Sequence, residues 1–110
     1  MDRRKVILHW DDIKLATLSR KRSKYLLQYT NKGLAKALDA GCPEFIHGCK
    51  EGVWDELPPI FLDFEISKSR TDLLEKLGIE KGDSQFDRLY KHAQKCDLFI
   101  KNGFWISAEE

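Results

Sequence analysis

Three short runs near the start of the chain constrain its fold more than any other feature. Val6, Leu8 and Trp10 alternate with Ile7 and His9, so residues 5–10 read as a strand. Asp11-Asp12 is a turn, and a second strand follows over residues 13–18, with Ile13, Leu15 and Thr17 sharing a face. A basic loop over residues 19–23 leads to a third strand at residues 25–29, with Tyr25, Leu27 and Tyr29 on one face. A parallel crossover takes roughly a dozen residues or more, and neither connection offers them. The three strands are therefore expected to form an antiparallel meander.

The rest of the chain reads mainly as helices. Thr30 or Asn31 caps a helix over residues 32–40, with Leu34, Ala37 and Leu38 inward; Gly41 ends it and Pro43 lies just beyond. Phe45-Ile46 reads as a short strand and residues 48–55 as a loop. Pro58-Pro59 opens another helix, because the first turn tolerates a missing N–H, and Ile60, Phe61 and Phe64 form its apolar stripe. Ser69-Arg70-Thr71-Asp72 reads as a capping box before Leu73, Leu74 and Leu77, with Gly78 as the stop. Ser84-Gln85-Phe86-Asp87 reads as a second one, before Leu89, Tyr90 and Ala93. Asn102-Gly103 between the apolar runs 98–101 and 104–106 is a hairpin signal. The expected fold is α+β in one domain, residues 1–110: a small antiparallel sheet, made of the N-terminal meander and the C-terminal hairpin, packed with three to four short helices.

At 110 residues the chain is long enough to bury a core and too short for a two-lobed kinase or a dinucleotide-binding domain with a substrate domain. With 42% hydrophobic and 34% charged residues it is globular in composition. No apolar run approaches the ~18–20 residues of a membrane span, so no membrane association is expected. The opening MDRRKVILHW has no long apolar core or cleavage site, so a cytoplasmic location is expected. Three cysteines make a disulfide framework unexpected there.

The net charge of +1 conceals a polarity. Residues 1–24 carry eight basic residues against three acids, a net of +5, and residues 39–66 carry seven acids against Lys50, a net of −6. Such a dipolar chain is suited to oriented association with a charged partner. Any one of these charges can equally serve as ordinary solvated surface.

No phosphate-binding glycine loop, metalloprotease helix or nucleophile elbow occurs. His9-Trp10-Asp11 distantly resembles a kinase catalytic loop, but no Asn follows at the required spacing. No enzymatic activity and no cofactor are expected. Cys42, His47, Cys49 and Cys96 are metal-capable, yet Cys42-x4-His47-x-Cys49 departs from the paired spacing of structural zinc sites, so no metal is expected. His92 and Cys96 stand four apart on a helix with nothing to depress a thiol pKa, and His92 is expected to be partly exposed. The loop Ser19-Arg20-Lys21-Arg22-Ser23-Lys24, with Tyr25 and Tyr29 to stack on bases, supplies an alternative function as a small nucleic-acid-binding module. The chain as a whole is not basic, which counts against it.

The stretch Trp54-Asp55-Glu56-Leu57-Pro58-Pro59-Ile60-Phe61-Leu62-Asp63-Phe64 is the most distinctive. Upstream lies the meander opening with Val6-Ile7-Leu8-His9-Trp10-Asp11-Asp12; downstream come Leu73-Leu74-Glu75-Lys76-Leu77-Gly78-Ile79 and Gly82-Asp83-Ser84-Gln85-Phe86-Asp87-Arg88-Leu89. In this order and spacing, over roughly residues 5–95, the chain resembles the N-terminal subdomain of HipA-type serine/threonine kinase toxins. There a meander leads to an "LPPFF" helix, a helix ending "LG" and a "D–F–LL" helix. The family's continuation "LLPEG" is replaced here by Phe64-Glu65-Ile66-Ser67, and its usual Asn-Gly first turn by Asp11-Asp12. The kinase part of such toxins has no counterpart in these residues. A free-standing subdomain is similar to the HipS-like antitoxins of tripartite HipBST systems. The resemblance implies binding and neutralisation of a HipA-like kinase (HipT-type), in a complex that can include a DNA-binding HipB-type protein, with no direct nucleic-acid contact by this chain.

Trp54, Asp55 and Glu56 are the candidate partner-binding residues. A loop Trp flanked by carboxylates is a suitable interface anchor, and a cleft built to hold ATP phosphates offers positive charge to such a segment. The competing role for Trp54 is closure of the domain's own core.

Overall fold

The computed structural model describes residues 3–41, 50–62, 64, 75–80, 82–95 and 103–109. Five strands form one antiparallel sheet: β1 (Lys5–Trp10), β2 (Ile13–Lys21), β3 (Lys24–Tyr29), β4 (Gly52–Trp54) and β5 (Phe104–Glu109), in the order β4-β3-β2-β1-β5. Among the described residues it is accompanied by α1 (Asn31–Asp39), α2 (Pro59–Leu62) and α3 (Gln85–Ala93), and Glu75 and Lys76 are also helical. The class is α+β, with an antiparallel sheet built from strands near both ends of the chain.

The meander extends further than the sequence pattern predicts. β2 and β3 run to Lys21 and from Lys24, so the expected five-residue loop is a two-residue turn with Arg22 at φ 61°. The strand parity of β2 also differs. Leu8 pairs with Ala16 but His9 pairs with Lys14, so Leu15 is an extra residue in the ladder, a bulge. The bulge lets Leu15, Ala16 and Leu18 all reach the core, while Thr17 is only half-buried on the opposite face.

The core fills one face of the sheet. Val6, Leu8, Leu18, Leu27, Phe104 and Ile106 from the strands meet Ala37 of α1, Phe61 of α2, and Phe86, Leu89 and Ala93 of α3. Leu57, Pro58, Phe61 and Phe64 are all buried, so the Leu-Pro-Pro segment is a structural plug. Phe61 N–H donates to the Pro58 carbonyl at 2.9 Å, and Phe64 N–H to the Phe61 carbonyl at 3.1 Å.

α1 is held close to β2. The Thr30 N–H donates to the Leu15 carbonyl at 2.8 Å. A Cβ on Gly33 would collide with the Lys14 carbonyl, so only glycine allows this approach. Thr30 is the N-cap residue without a side-chain cap bond, and Leu38, expected inward, is exposed.

α3 begins with the predicted capping box. Ser84 Oγ accepts from Asp87 N–H at 3.1 Å, and Asp87 Oδ2 accepts from Ser84 N–H at 3.0 Å. The last strand, β5, pairs with β1 along its length, from Lys5↔Glu109 to Trp10↔Phe104. Its expected hairpin partner, residues 98–101, lies outside the described residues, as do Phe45-Ile46 and the Ser69–Asp72 capping box.

Candidate functional site

Trp54 is not in a loop. It ends strand β4 at the edge of the sheet, directly opposite Tyr25 of β3. The loop expectation failed because a three-residue strand offers too few positions for alternation to show; the pairing comes from β3, not from local propensity. The Trp54 ring is half-buried against the core, and its Nε1–H donates to the Lys50 carbonyl at 2.8 Å. Trp54 thus seals the rim of the core while leaving part of its ring at the surface.

Strand alternation sends its neighbour the other way. Val53 is 64% exposed, the most exposed large apolar side chain among the described residues. Asp55 and Glu56 are both exposed just past the strand. Asp55 Oδ1 lies 3.2 Å from Lys24 Nζ, an open surface pair of small energetic weight. Glu51 instead ties the segment to β3, its carboxylate accepting from the Tyr29 backbone N–H at 2.8 Å. The three predicted residues are therefore contiguous at one sheet edge, with Trp54 as the apolar part and Asp55 and Glu56 as the charged part.

The basic hairpin is arranged differently from the nucleic-acid expectation. Tyr25 is only 7% exposed, packed toward Phe86 at a ring separation of 6.1 Å, and Tyr29 packs against the same core. Tyr25 is thus withheld from stacking on a base. Arg20 points back over the core face and donates to Ser84 Oγ at 2.9 Å and to the Arg22 carbonyl at 3.1 Å. Lys21, Arg22 and Lys24 remain exposed.

His92 also differs from expectation. His92 is 3% exposed, and its Nδ1–H donates to the Phe64 carbonyl at 2.7 Å. Burial pushes its pKa below the ordinary value, although the bond to Phe64 acts in the opposite sense. Leu89, three residues earlier on the same helix face, and the adjacent Ala93 were the sequence signs of this role. His9 stacks on Trp105 at 3.9 Å and shares a 2.8 Å hydrogen bond with Ser107 Oγ. Burial, and then the charge of Lys14, lower its pKa.

Around the start of α3 the charges are structural. Arg4 pairs with Asp87 at 2.8 Å and lies over the Phe86 and Tyr90 rings, each 5.3 Å away. Burial raises the Asp87 pKa, but hydrogen bonds from Ser84 and Arg4 outweigh it and leave the carboxyl below its ordinary range. Lys91 Nζ bonds Asp83 Oδ2 at 2.6 Å, and this bond with that from Glu80 N–H lowers Asp83 as well. Among the described residues no three His, Cys, Asp or Glu side chains cluster as a metal site, and no helix is long and apolar enough to cross a membrane. Cys42, His47, Cys49 and Cys96 lie outside the described residues.

Comparison of the chain with protein-family models, with curated proteins and with solved structures finds no match.

Proposed function

We propose that this chain is a non-catalytic binding module that neutralises a HipA-like serine/threonine kinase, with the β4 edge as its contact. The observation carrying this reading is the sheet edge itself. It sets a half-buried Trp54 beside two exposed carboxylates, Asp55 and Glu56, within a segment of net −6. A partly exposed aromatic on a rigid strand loses little conformational entropy on docking, and the carboxylates suit a cationic, phosphate-binding cleft. The burial of Leu57, Pro58, Phe61 and Phe64 supports a division of labour, in which that stretch holds the fold and the residues before it face the partner. The resemblance in the order of the sequence motifs is the support for a HipA-like kinase as the partner.

The test is a titration with a HipA-like kinase from the source genome, any such kinase encoded beside this chain first, with growth rescue in cells expressing that kinase. Binding at micromolar concentrations or tighter, together with rescue, supports the reading. Absence of both refutes it.

A further inference from the structure

The meander has two tight turns, and each holds its first central residue at positive φ, Asp11 at 55° and Arg22 at 61°. A two-residue hairpin turn with positive φ at that position favours glycine. Aspartate is among the few other residues that tolerate it, and arginine is not. Arg22 is thus kept under backbone strain at a place where glycine would relieve it, and such strain collects at functional sites.

Arg20 holds the strained turn. Its Nε–H donates to the Arg22 carbonyl at 3.1 Å and its Nη1 to Ser84 Oγ at 2.9 Å, which ties the turn to the start of α3. Lys21, Arg22, Ser23 and Lys24 are exposed in succession. Among the described residues no carboxylate pairs with the Arg22 guanidinium. The pairing of Tyr25 with Trp54 brings Asp55 to this end of the sheet, with Glu56 next to it in the chain. Even in their ion pair the Lys24 and Asp55 side chains stay 57% and 82% exposed. The turn is therefore a fixed cationic tip beside the acidic end of β4.

We infer that the β2–β3 turn is a second part of the partner contact, in which Arg22 receives a carboxylate from an acidic segment of the kinase. This role rests on the β4 edge being the kinase contact, and it requires of the partner a negative patch beside its cationic cleft. A guanidinium takes a carboxylate through two parallel hydrogen bonds, and a turn already held in place loses little freedom on docking. Nucleic acid fits the site less well, because a strand of uniform negative charge laid over Arg22 meets Asp55 and Glu56 beside Lys24. A protein surface can answer both signs.

The test combines calorimetric titration with thermal melts on the same samples, using a HipA-like kinase that the parent chain binds. Arg22→Gly should bind about tenfold more weakly, the effect of losing one charged hydrogen-bonding group. It should nevertheless melt at the parental temperature or above, because glycine adopts the positive φ without strain. Arg22→Glu retains the strained backbone and should bind more weakly than Arg22→Gly while melting no higher than the parent. The difference between parent and Arg22→Gly should shrink in high salt. Parental affinity in either variant overturns the assignment. An Arg22→Gly variant that melts earlier than the parent also overturns it, since Arg22 would then serve the fold. Loss of duplex DNA binding in Arg22→Gly, with kinase affinity unchanged, would assign the turn to nucleic acid instead. The Asp55→Lys/Glu56→Lys variant separates the two contacts. If it binds weakly while Arg22→Gly binds as the parent does, the edge contact stands and the turn contact is overturned. If it binds as the parent does while Arg22→Gly binds weakly, the edge contact fails and the turn alone meets the partner.

Discussion

His92 of α3 donates a 2.7 Å hydrogen bond from Nδ1 to the backbone carbonyl of Phe64, fastening the last long helix to the residue that ends the Leu-Pro-Pro plug. The bond requires the Nδ1–H tautomer, because a carbonyl only accepts. It answers a carbonyl that burial would otherwise leave at a cost of about 1–3 kcal/mol.

The burial of His92 predicts an acid-sensitive fold. Its folded pKa is lowered, so the unfolded chain binds the proton more readily. Stability should therefore fall as pH drops below the ordinary histidine value of 6.5, and level off once the folded pKa is passed. His9 is lowered as well, so His92→Leu should reduce this slope without abolishing it. Asp83 and Asp87 act lower on the scale. Their depressed pKa values confer stability present above the ordinary 3.8 and lost as pH falls through the folded values. Urea midpoints by circular dichroism across the neutral-to-acid range check this; a midpoint flat through the histidine window contradicts it.

Gly33→Ala should destabilise the fold even though alanine is the better helix former. The helix-propensity gain is about 1 kcal/mol. Overpacking costs about 1–3 kcal/mol, and here the new Cβ meets the backbone carbonyl of Lys14, which cannot swing aside as a side chain would. A thermal melt should show a lower melting temperature than the parent chain, and a higher one would contradict the close approach of α1 to β2.

Phe61→Ala should cost about 3–5 kcal/mol, from lost burial and the cavity left behind. Ser84→Ala should cost only about 1 kcal/mol, the usual effect of removing an N-cap. Denaturant unfolding of the two variants side by side measures the contrast, and similar losses in both would contradict the placement of Phe61 at the centre of the core.

Trp54→Ala should both lower the melting temperature and weaken binding of the partner. The ring is half inside the core, so its truncation removes packing as well as contact surface. The expected loss of stability is about 1–2 kcal/mol, below that of a fully buried aromatic. A melting temperature equal to that of the parent would show that Trp54 contributes nothing to its own domain.

The meander was legible because its alternation is long: six residues in β1 and six in β3 suffice to fix a face. The Ser84–Asp87 capping box was legible because it is a local device whose partners lie three residues apart. The bulge at Leu15 was not, since an extra residue shows only in the register with β1. The pairing of β5 with β1 spans nearly the whole chain, and nothing local in Phe104–Glu109 announces which strand it will join. In the candidate site the carboxylates of Asp55 and Glu56 could be anticipated as exposed from charge alone. The setting of Trp54 could not, because β4 takes its direction from β3. Val53 was missed for the same reason: its exposure follows from the alternation that turns Trp54 inward.

The most direct test of the central claim is the affinity of the Asp55→Lys/Glu56→Lys variant for a HipA-like kinase that the parent chain binds, by calorimetric titration with the melting temperature measured on the same sample. Both side chains are exposed, so the fold should be unaffected. The account predicts an unchanged melting temperature, binding at least about thirtyfold weaker, equivalent to about 2 kcal/mol, and loss of growth rescue. Full affinity and full rescue in a variant of parental stability would contradict it.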